Sequence, residues 1–268
     1  MKIALVTGAT DGIGRQTAHD LADSGVQVIV HGRDPGRVAQ TVESVGHGAS
    51  GVVADFTSLA AVRTLAAEVV DAGIDVLINN AGAFASHREL TSDGHELTWQ
   101  VNHLAGALLT DLLLDPLAQR RGRVIFVSAA MYARATLNLA DPDYRDRDYD
   151  GQEAYGQSKL ANVLFMGELV RRLGPQPPVT VNALHPGVVG TKLFDAAFGA
   201  VPQHTLAQGA ASVVHLALAE EVAEMTGAFF IRDKPRAITG PAADAAFSKA
   251  LYELTCGQLG VPGLPASD

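Results

Sequence analysis

Tyr155 and Lys159 stand four residues apart in the run Tyr155-Gly156-Gln157-Ser158-Lys159. On a helix that spacing turns both side chains to one face. A free tyrosine, with a pKa of about 10, is a poor base at neutral pH. A lysine ammonium one turn away stabilises the phenolate and lowers that pKa. Tyr155 can then give a proton to a carbonyl oxygen as a hydride arrives, or take one from an alcohol. The same pair is common on solvated helices, so its meaning depends on a second signal at the other end of the chain. Thr7-Gly8-Ala9-Thr10-Asp11-Gly12-Ile13-Gly14 follows a short apolar run and opens an amphipathic segment. Glycines there let the backbone turn tightly and let a pyrophosphate approach, while the next helix offers free N–H groups and its positive dipole end. The second apolar run ends His31-Gly32-Arg33-Asp34. A carboxylate at that strand end binds the ribose hydroxyls of NAD. Here Gly32 takes the place of the carboxylate and Arg33 follows, a guanidinium suited to a phosphate. NADP is therefore expected over NAD, with Arg37 a weaker helper one turn into the next helix.

These groups need a scaffold that gathers strand ends. Apolar, mostly β-branched runs at residues 2–7, 26–31, 51–54, 74–79, 123–127, 179–184 and 227–231 read as parallel strands covered on both faces. Between them, residues 13–24, 36–45, 59–72, 95–117, 153–173 and 206–219 read as helices. The alternation implies βαβ crossovers and a doubly wound α/β sheet. Gly8, Arg33, Asp55, Asn79 and Pro186 then fall just past the carboxyl ends of strands, where an open α/β sheet forms its ligand crevice. No repeat or linker divides the 268 residues, so a single domain is expected. The acidic stretch 141–150 reads as a solvated excursion.

Composition narrows the function classes. Hydrophobic residues at 47% and charged residues at 18% exclude a disordered chain. A net charge of −9 argues against a general nucleic-acid or anionic-membrane binder. Cys256 is the single cysteine, which excludes an intrachain disulfide and a zinc-thiolate site. His19, His47, His87, His95, His204 and His215 lack metal-ligand spacing, so no metal is expected. No apolar run approaches the roughly 18 residues of a membrane span, and residues 3–6 are too short for a signal-peptide core. The expected location is the cytoplasm.

From Lys2 to about Ile231 the chain resembles the short-chain dehydrogenase/reductase family. Asp55, Asn79-Asn80-Ala81-Gly82, Asn102, Tyr155 with Lys159, and His185-Pro186-Gly187 with Thr191 match its blocks in order. Val101-Asn102-His103-Leu104 and Ser158-Lys159-Leu160-Ala161-Asn162 are similar to its retinol-dehydrogenase-like branch, here read as a member without a membrane anchor. The resemblance implies a single Rossmann domain, residues 1–268, with seven parallel strands in the order 3-2-1-4-5-6-7. It implies that Tyr155, Lys159 and Asn102 are catalytic, Lys159 binding the nicotinamide ribose and Asn102 holding a water of the proton relay. It implies that Gly8, Thr10, Asp11, Gly12, Ile13, Gly14, Arg33, Asp55, Asn80, Ala81, Gly82, Tyr155, Lys159, Pro186, Gly187, Val189 and Thr191 bind the cofactor. It also implies a homodimer built on the helix carrying Leu160, Val163, Leu164, Phe165 and Leu169 and on the helix at 208–219. A monomer is the alternative if the chain's own C-terminal segment covers those faces.

One block departs from the family. A catalytic serine usually follows the fifth strand, but the matching stretch is Val127-Ser128-Ala129-Ala130, and without a gap the serine position is Ala129. Side chains alternate along a strand, so Ser128 is expected to face away from the substrate unless a bulge re-aims it. Loss of one such donor typically costs about 10²–10³ in rate. Three explanations stand: a slow enzyme or one with another donor, a cofactor-binding protein that does not catalyse, or an engineered serine-to-alanine change. The substrate-covering segment near 188–205 carries Val188, Leu193, Phe194 and Phe198. With Phe84, Met131, Tyr132 and Tyr149 from other loops, it points to an apolar carbonyl or alcohol substrate.

Overall fold

A computed structural model of the chain describes residues 1–199 and 201–265. Its central sheet runs β3-β2-β1-β4-β5-β6-β7-β8. The strands are β1 (Ile3–Val6), β2 (Gln27–Gly32), β3 (Ser50–Val53), β4 (Val76–Asn79), β5 (Arg123–Val127), β6 (Thr180–His185), β7 (Phe229–Ile231) and β8 (Lys234–Arg236). β1 through β7 pair in parallel, as expected. The expectation of seven strands is corrected by β8, which turns back antiparallel on β7. Its Lys234-Pro235-Arg236 is exposed and has no apolar pattern to read. Proline is tolerated there because β8 is an edge strand.

The helices are α1 (Gly12–Asp23), α2 (Pro35–Val45), α3 (Leu59–Val69), α4 (Leu97–Trp99), α5 (Ala105–Gln119), α6 (Gly151–Leu173), α7 (Lys192–Phe198), α8 (Leu206–Leu218) and α9 (Ala245–Leu259). One face of the sheet buries Ala18, Leu21, Val38, Val213 and Leu216 of α1, α2 and α8. The other buries Leu65, Leu108, Leu164 and Leu251 of α3, α5, α6 and α9. Strands sealed on both faces explain the unbroken β-branched runs. Strand order reverses between β1 and β4, and the loops after β1, β2, β4, β5 and β6 converge on that edge.

Three local features differ from the expectations. A π-helical turn, Gln100–Leu104, separates α4 from α5, where one continuous helix was expected. Such turns break an α-helix at a specific place. The acidic stretch is a solvated excursion only in part: Asp141, Pro142, Asp143 and Tyr144 are buried, while Asp146, Asp148 and Asp150 are exposed. The Asp143 carboxylate accepts from the Glu96 amide at 2.9 Å, and Arg147 lies 3.5 Å over the Tyr144 ring. Helix α9 was not anticipated, although Asp244 caps it and Leu251, Tyr252, Thr255, Cys256 and Leu259 fall on one helical face. It covers α6: Phe165 stacks on Tyr252 with centroids 5.2 Å apart, and Arg172 lies 4.4 Å over the same tyrosine ring. Trp99 Nε1 also donates to Gln258 at 3.1 Å.

Candidate functional site

The loops after β1 and β4 are tied by Thr7. Its hydroxyl donates to Ile78 O at 3.1 Å and accepts from the Asn80 and Ala81 amides at 2.9 and 3.0 Å. The Asn80 side chain donates back to Thr7 O at 2.8 Å. Gly8 has φ +64°, and a Cβ there would lie 2.8 Å from Ala81 Cα. Glycine is thus required by the close approach of the two loops as well as by the turn. The Gly8 amide donates to His31 Nδ1 at 3.2 Å, so His31 Nε2 is the nitrogen that donates to Ala54 O at 3.0 Å. Burial holds this imidazole neutral, its pKa lowered to about 4. Neither Thr7 nor His31 was singled out as a site residue, because their partners lie far along the chain.

At the N-terminus of α1, Asp11 accepts from the Gly12 amide at 2.8 Å. The next amides, of Ile13 and Gly14, belong to the first helical turn and have no intrahelical acceptor. The same Asp11 carboxylate receives Lys192 Nζ at 2.8 Å and Arg37 Nη2 at 2.9 Å. The Lys192 hydrogen bond leads in lowering its pKa to about 2. Across the groove, a Cβ on Gly32 would lie 2.5 Å from Thr10 Cγ2. A larger side chain there would have to displace the Thr10 and Val38 side chains, and exposed Arg33 is the next side chain at the rim.

One cavity of about 810 Å³ runs from this rim to Tyr155. It is bordered by each of the expected cofactor residues, Gly8, Thr10 through Gly14, Arg33, Asp55, Asn80, Ala81, Gly82, Tyr155, Lys159, Pro186, Gly187, Val189 and Thr191. Asn102 is not on its wall. The Asn102 amide lies behind the turn at Ala83, accepting from Ala83 N at 2.6 Å and donating to Ala83 O at 3.1 Å and Ser158 Oγ at 3.0 Å. Its side chain is therefore fully engaged by protein groups. The Asn102 carbonyl accepts from Asn162 Nδ2 at 3.0 Å.

Tyr155 and Lys159 share the inner end of the cavity. Lys159 Nζ lies 5.4 Å from the Tyr155 ring centroid and donates to Val127 O at 2.9 Å. Burial pushes the Lys159 pKa down to about 8 and the Tyr155 phenol well above its ordinary value. The lowered phenol pKa expected from the pairing is thus not seen: desolvation outweighs an ammonium at this distance. Phe198 of α7 closes over Tyr155 edge-on, with centroids 5.9 Å apart.

Ser128 faces α6, its hydroxyl donating to Lys159 O at 2.9 Å. Ala129 is partly exposed to the cavity. Phe84, Met131, Val188, Leu193, Phe194 and Phe198 line the apolar part, joined by Leu97 and Val101. Tyr132 and Tyr149 do not. Tyr132 is buried against Phe229 at 4.4 Å, and Tyr149 donates to Glu96 Oε1 at 3.0 Å. Ala200 of the covering segment lies outside the described residues.

The residues present fit a nicotinamide dinucleotide. Bare first-turn amides at α1 suit a pyrophosphate. The Arg33 guanidinium stands at the cavity rim, and a buried Nδ1 of His185 has no protein partner among the described residues where His185 borders the cavity.

Known proteins are similar throughout. A family model described as short chain dehydrogenase matches residues 2–140. Human retinol dehydrogenase 13 is 36% identical over 275 residues, spanning 94% of this chain and 82% of that protein. The candidate daunorubicin C-13 ketoreductase DnrU of Streptomyces sp. (strain C5) is 35% identical over 271 residues, spanning 97% and 93%. A solved structure of an uncharacterised Mycobacterium paratuberculosis protein matches with a TM-score of 0.85 at 32% identity, covering 99% of this chain and 95% of that one. A short chain dehydrogenase from Burkholderia cenocepacia J2315, solved in complex with NADP, matches with a TM-score of 0.68 at 28% identity, covering 91% and 98%.

Proposed function

Given that the chain belongs to the short-chain dehydrogenase/reductase family, we propose that it is an NADP(H)-dependent oxidoreductase acting on an apolar ketone, aldehyde or alcohol. The observation that carries this reading is the cavity itself, with Tyr155 and Lys159 at its inner end and Arg33 at its rim. The first-turn amides of α1 and the Thr191 turn would hold the pyrophosphate, and Arg33 would take the 2′-phosphate, with Arg37 beside it held on Asp11 and Thr10 O. Bound nicotinamide supplies or accepts the hydride. Tyr155 Oη holds its proton, because burial raises the phenol pKa, and releases it to the substrate oxygen as that oxygen gains charge. Lys159 supplies the positive charge that favours this transfer. Phe84, Met131, Phe194 and Phe198 exclude water from the reacting end and select an apolar body. The names of the relatives, a retinol dehydrogenase and a candidate ketoreductase, support that class.

Ala129 favours a second reading, a cofactor-binding protein with impaired catalysis. The substrate oxygen lacks the hydroxyl donor that the family places there, while Tyr155, Lys159 and Asn102 remain. Calorimetric titration with NADPH and NADH tests the cofactor half of the proposal. NADPH is expected to bind at least about tenfold more tightly, or about 1.4 kcal/mol. Arg33→Ala is expected to narrow the gap by weakening NADPH. Equal affinities for the two nucleotides would overturn it.

A further inference from the structure

We propose that His103 is a positioning residue for this reaction, holding Asn102, the turn at Ala83 and the backbone of Tyr155 in place through its hydrogen bond to Asn162, with Thr255 of α9 on the other ring nitrogen stabilising the fold. The proposal rests on the oxidoreductase reading and adds to it a residue that touches neither cofactor nor substrate.

The chain of hydrogen bonds can be followed atom by atom, and each direction is fixed by chemistry. The Asn102 carbonyl can only accept, so the Asn162 atom 3.0 Å away is its amide nitrogen. The other end of that amide, Asn162 Oδ1, then needs a donor, and His103 Nδ1 lies 3.1 Å from it. Nδ1 must therefore carry the proton. His103 is completely buried and neutral, which leaves Nε2 bare. Nε2 lies 2.8 Å from Thr255 Oγ1, and that hydroxyl must donate to it. On the far side, the Ala83 amide donates to Asn102 Oδ1, so Asn102 Nδ2 is the group that donates to Ser158 Oγ at 3.0 Å. Ser158 Oγ donates in turn to Tyr155 O at 2.7 Å. Every hydrogen points the same way, from Thr255 through His103, Asn162, Asn102 and Ser158 to the residue that exchanges the proton. The run is in two parts, because the Asn102 carbonyl that accepts and the Asn102 side-chain amide that donates are separated by saturated carbons; within each part the aligned bonds reinforce one another, and across Asn102 the link is one of position.

The location of the chain matters as much as its direction. Asn102 and His103 are consecutive residues of the π-helical turn, the one break in the helical segment from α4 to α5. That turn puts neighbouring groups to separate uses. The Asn102 side chain grips Ala83, next to Gly82 on the cavity wall, and the His103 ring reaches across to α6 and α9. The ring is wedged against Trp99, centroids 4.6 Å apart, and lies edge-on to Phe165 at 5.9 Å. Its orientation is thereby fixed by packing as well as by hydrogen bonds. A core histidine that served only to fill space would affect stability and leave the site untouched. The chain makes a sharper demand: the bond toward Asn162 matters to the site, and the bond toward Thr255 matters mainly to the anchoring.

Three variants separate the two. His103→Asn keeps a donor close to the Nδ1 position and loses the contact with Thr255. His103→Gln keeps the Thr255 side and loses the Asn162 side. His103→Leu loses both. All three are expected to lower the melting temperature. His103→Asn is expected to keep kcat within about threefold of the wild type, while Gln and Leu lower it about tenfold or more with little change in KM. A second readout needs no turnover. Nitrogen NMR of the wild-type ring is expected to show Nδ1 protonated and Nε2 bare, and exchange of the Ala83 amide is expected to quicken in His103→Leu and not in His103→Asn. The opposite tautomer would overturn the proposal, as would effects that follow melting temperature with no difference between Asn and Gln. If the wild type turns over no carbonyl or alcohol at all, the oxidoreductase reading fails while the tautomer and the Ala83 exchange still decide the role of His103.

Discussion

Lys159 buries an ammonium that bonds only Val127 O among the described residues, and this is why its pKa falls to about 8. If its charge assists proton transfer from Tyr155, carbonyl reduction should decline as pH rises through about 8. The Tyr155 limb should appear only at much higher pH, since burial makes the phenol hold its proton. A pH profile of kcat in the reducing direction checks this, and a flat profile from about pH 7 to about pH 10 would contradict it. At this scale the sequence was informative wherever residue type and short spacing carry the chemistry. Tyr155 with Lys159, the glycines of the first loop and Arg33 all announce themselves within a few residues. Thr7, His31 and Asp143 do not, because each acts on a partner distant along the chain: Asn80 for Thr7, Gly8 for His31, Glu96 for Asp143. The Asp143 bond also shows how a run of charge misleads. Ten residues rich in aspartate look solvated, yet one carboxylate caps a buried amide and the stretch braces the start of the helix that bears Asn102.

The element scale has its own pattern. Parallel strands buried on both faces declare themselves as apolar runs, and β5 occupies the expected residues 123–127. Elements whose stability comes from tertiary packing were harder to read. β8 is three exposed residues held by β7, and α7 is seven residues long. Helix α9 was readable from its cap and its apolar face, and it bears on assembly. The α6 residues Leu160, Val163, Leu164, Phe165 and Leu169 were expected to meet a second copy, but they are buried within the single chain. α9 packs along α6, with Phe165 stacked on Tyr252 and each fully buried apolar side chain there contributing about 1.5–3 kcal/mol. We therefore expect a monomer, the second of the two assemblies considered. Light scattering is expected to give about 28.0 kDa, and a mass twice that would show that another face joins two copies.

For the whole molecule, the site and its stability are linked through buried histidines. His31 under the glycine loop and His103 behind Asn102 are both held neutral by burial, with pKa values lowered to about 4. In the unfolded chain each titrates near 6.5. Between those values the unfolded state binds protons that the folded state refuses, so stability is fully present above about pH 6.5 and is lost as pH falls toward 4. Chemical denaturation is expected to show a clear drop from about pH 7 to about pH 5, and an unchanged midpoint would contradict this assignment.

The central claim is that Tyr155 exchanges a proton with a substrate oxygen while the serine position beside it is empty of a donor. The measurement that tests it most directly is the loss of NADPH absorbance over a panel of apolar ketones and aldehydes, for the wild type, Ala129→Ser and Tyr155→Phe side by side. The wild type should turn over slowly, Ala129→Ser about 10²-fold faster at unchanged cofactor affinity, and Tyr155→Phe not at all. Turnover by Tyr155→Phe at the wild-type rate would contradict the account.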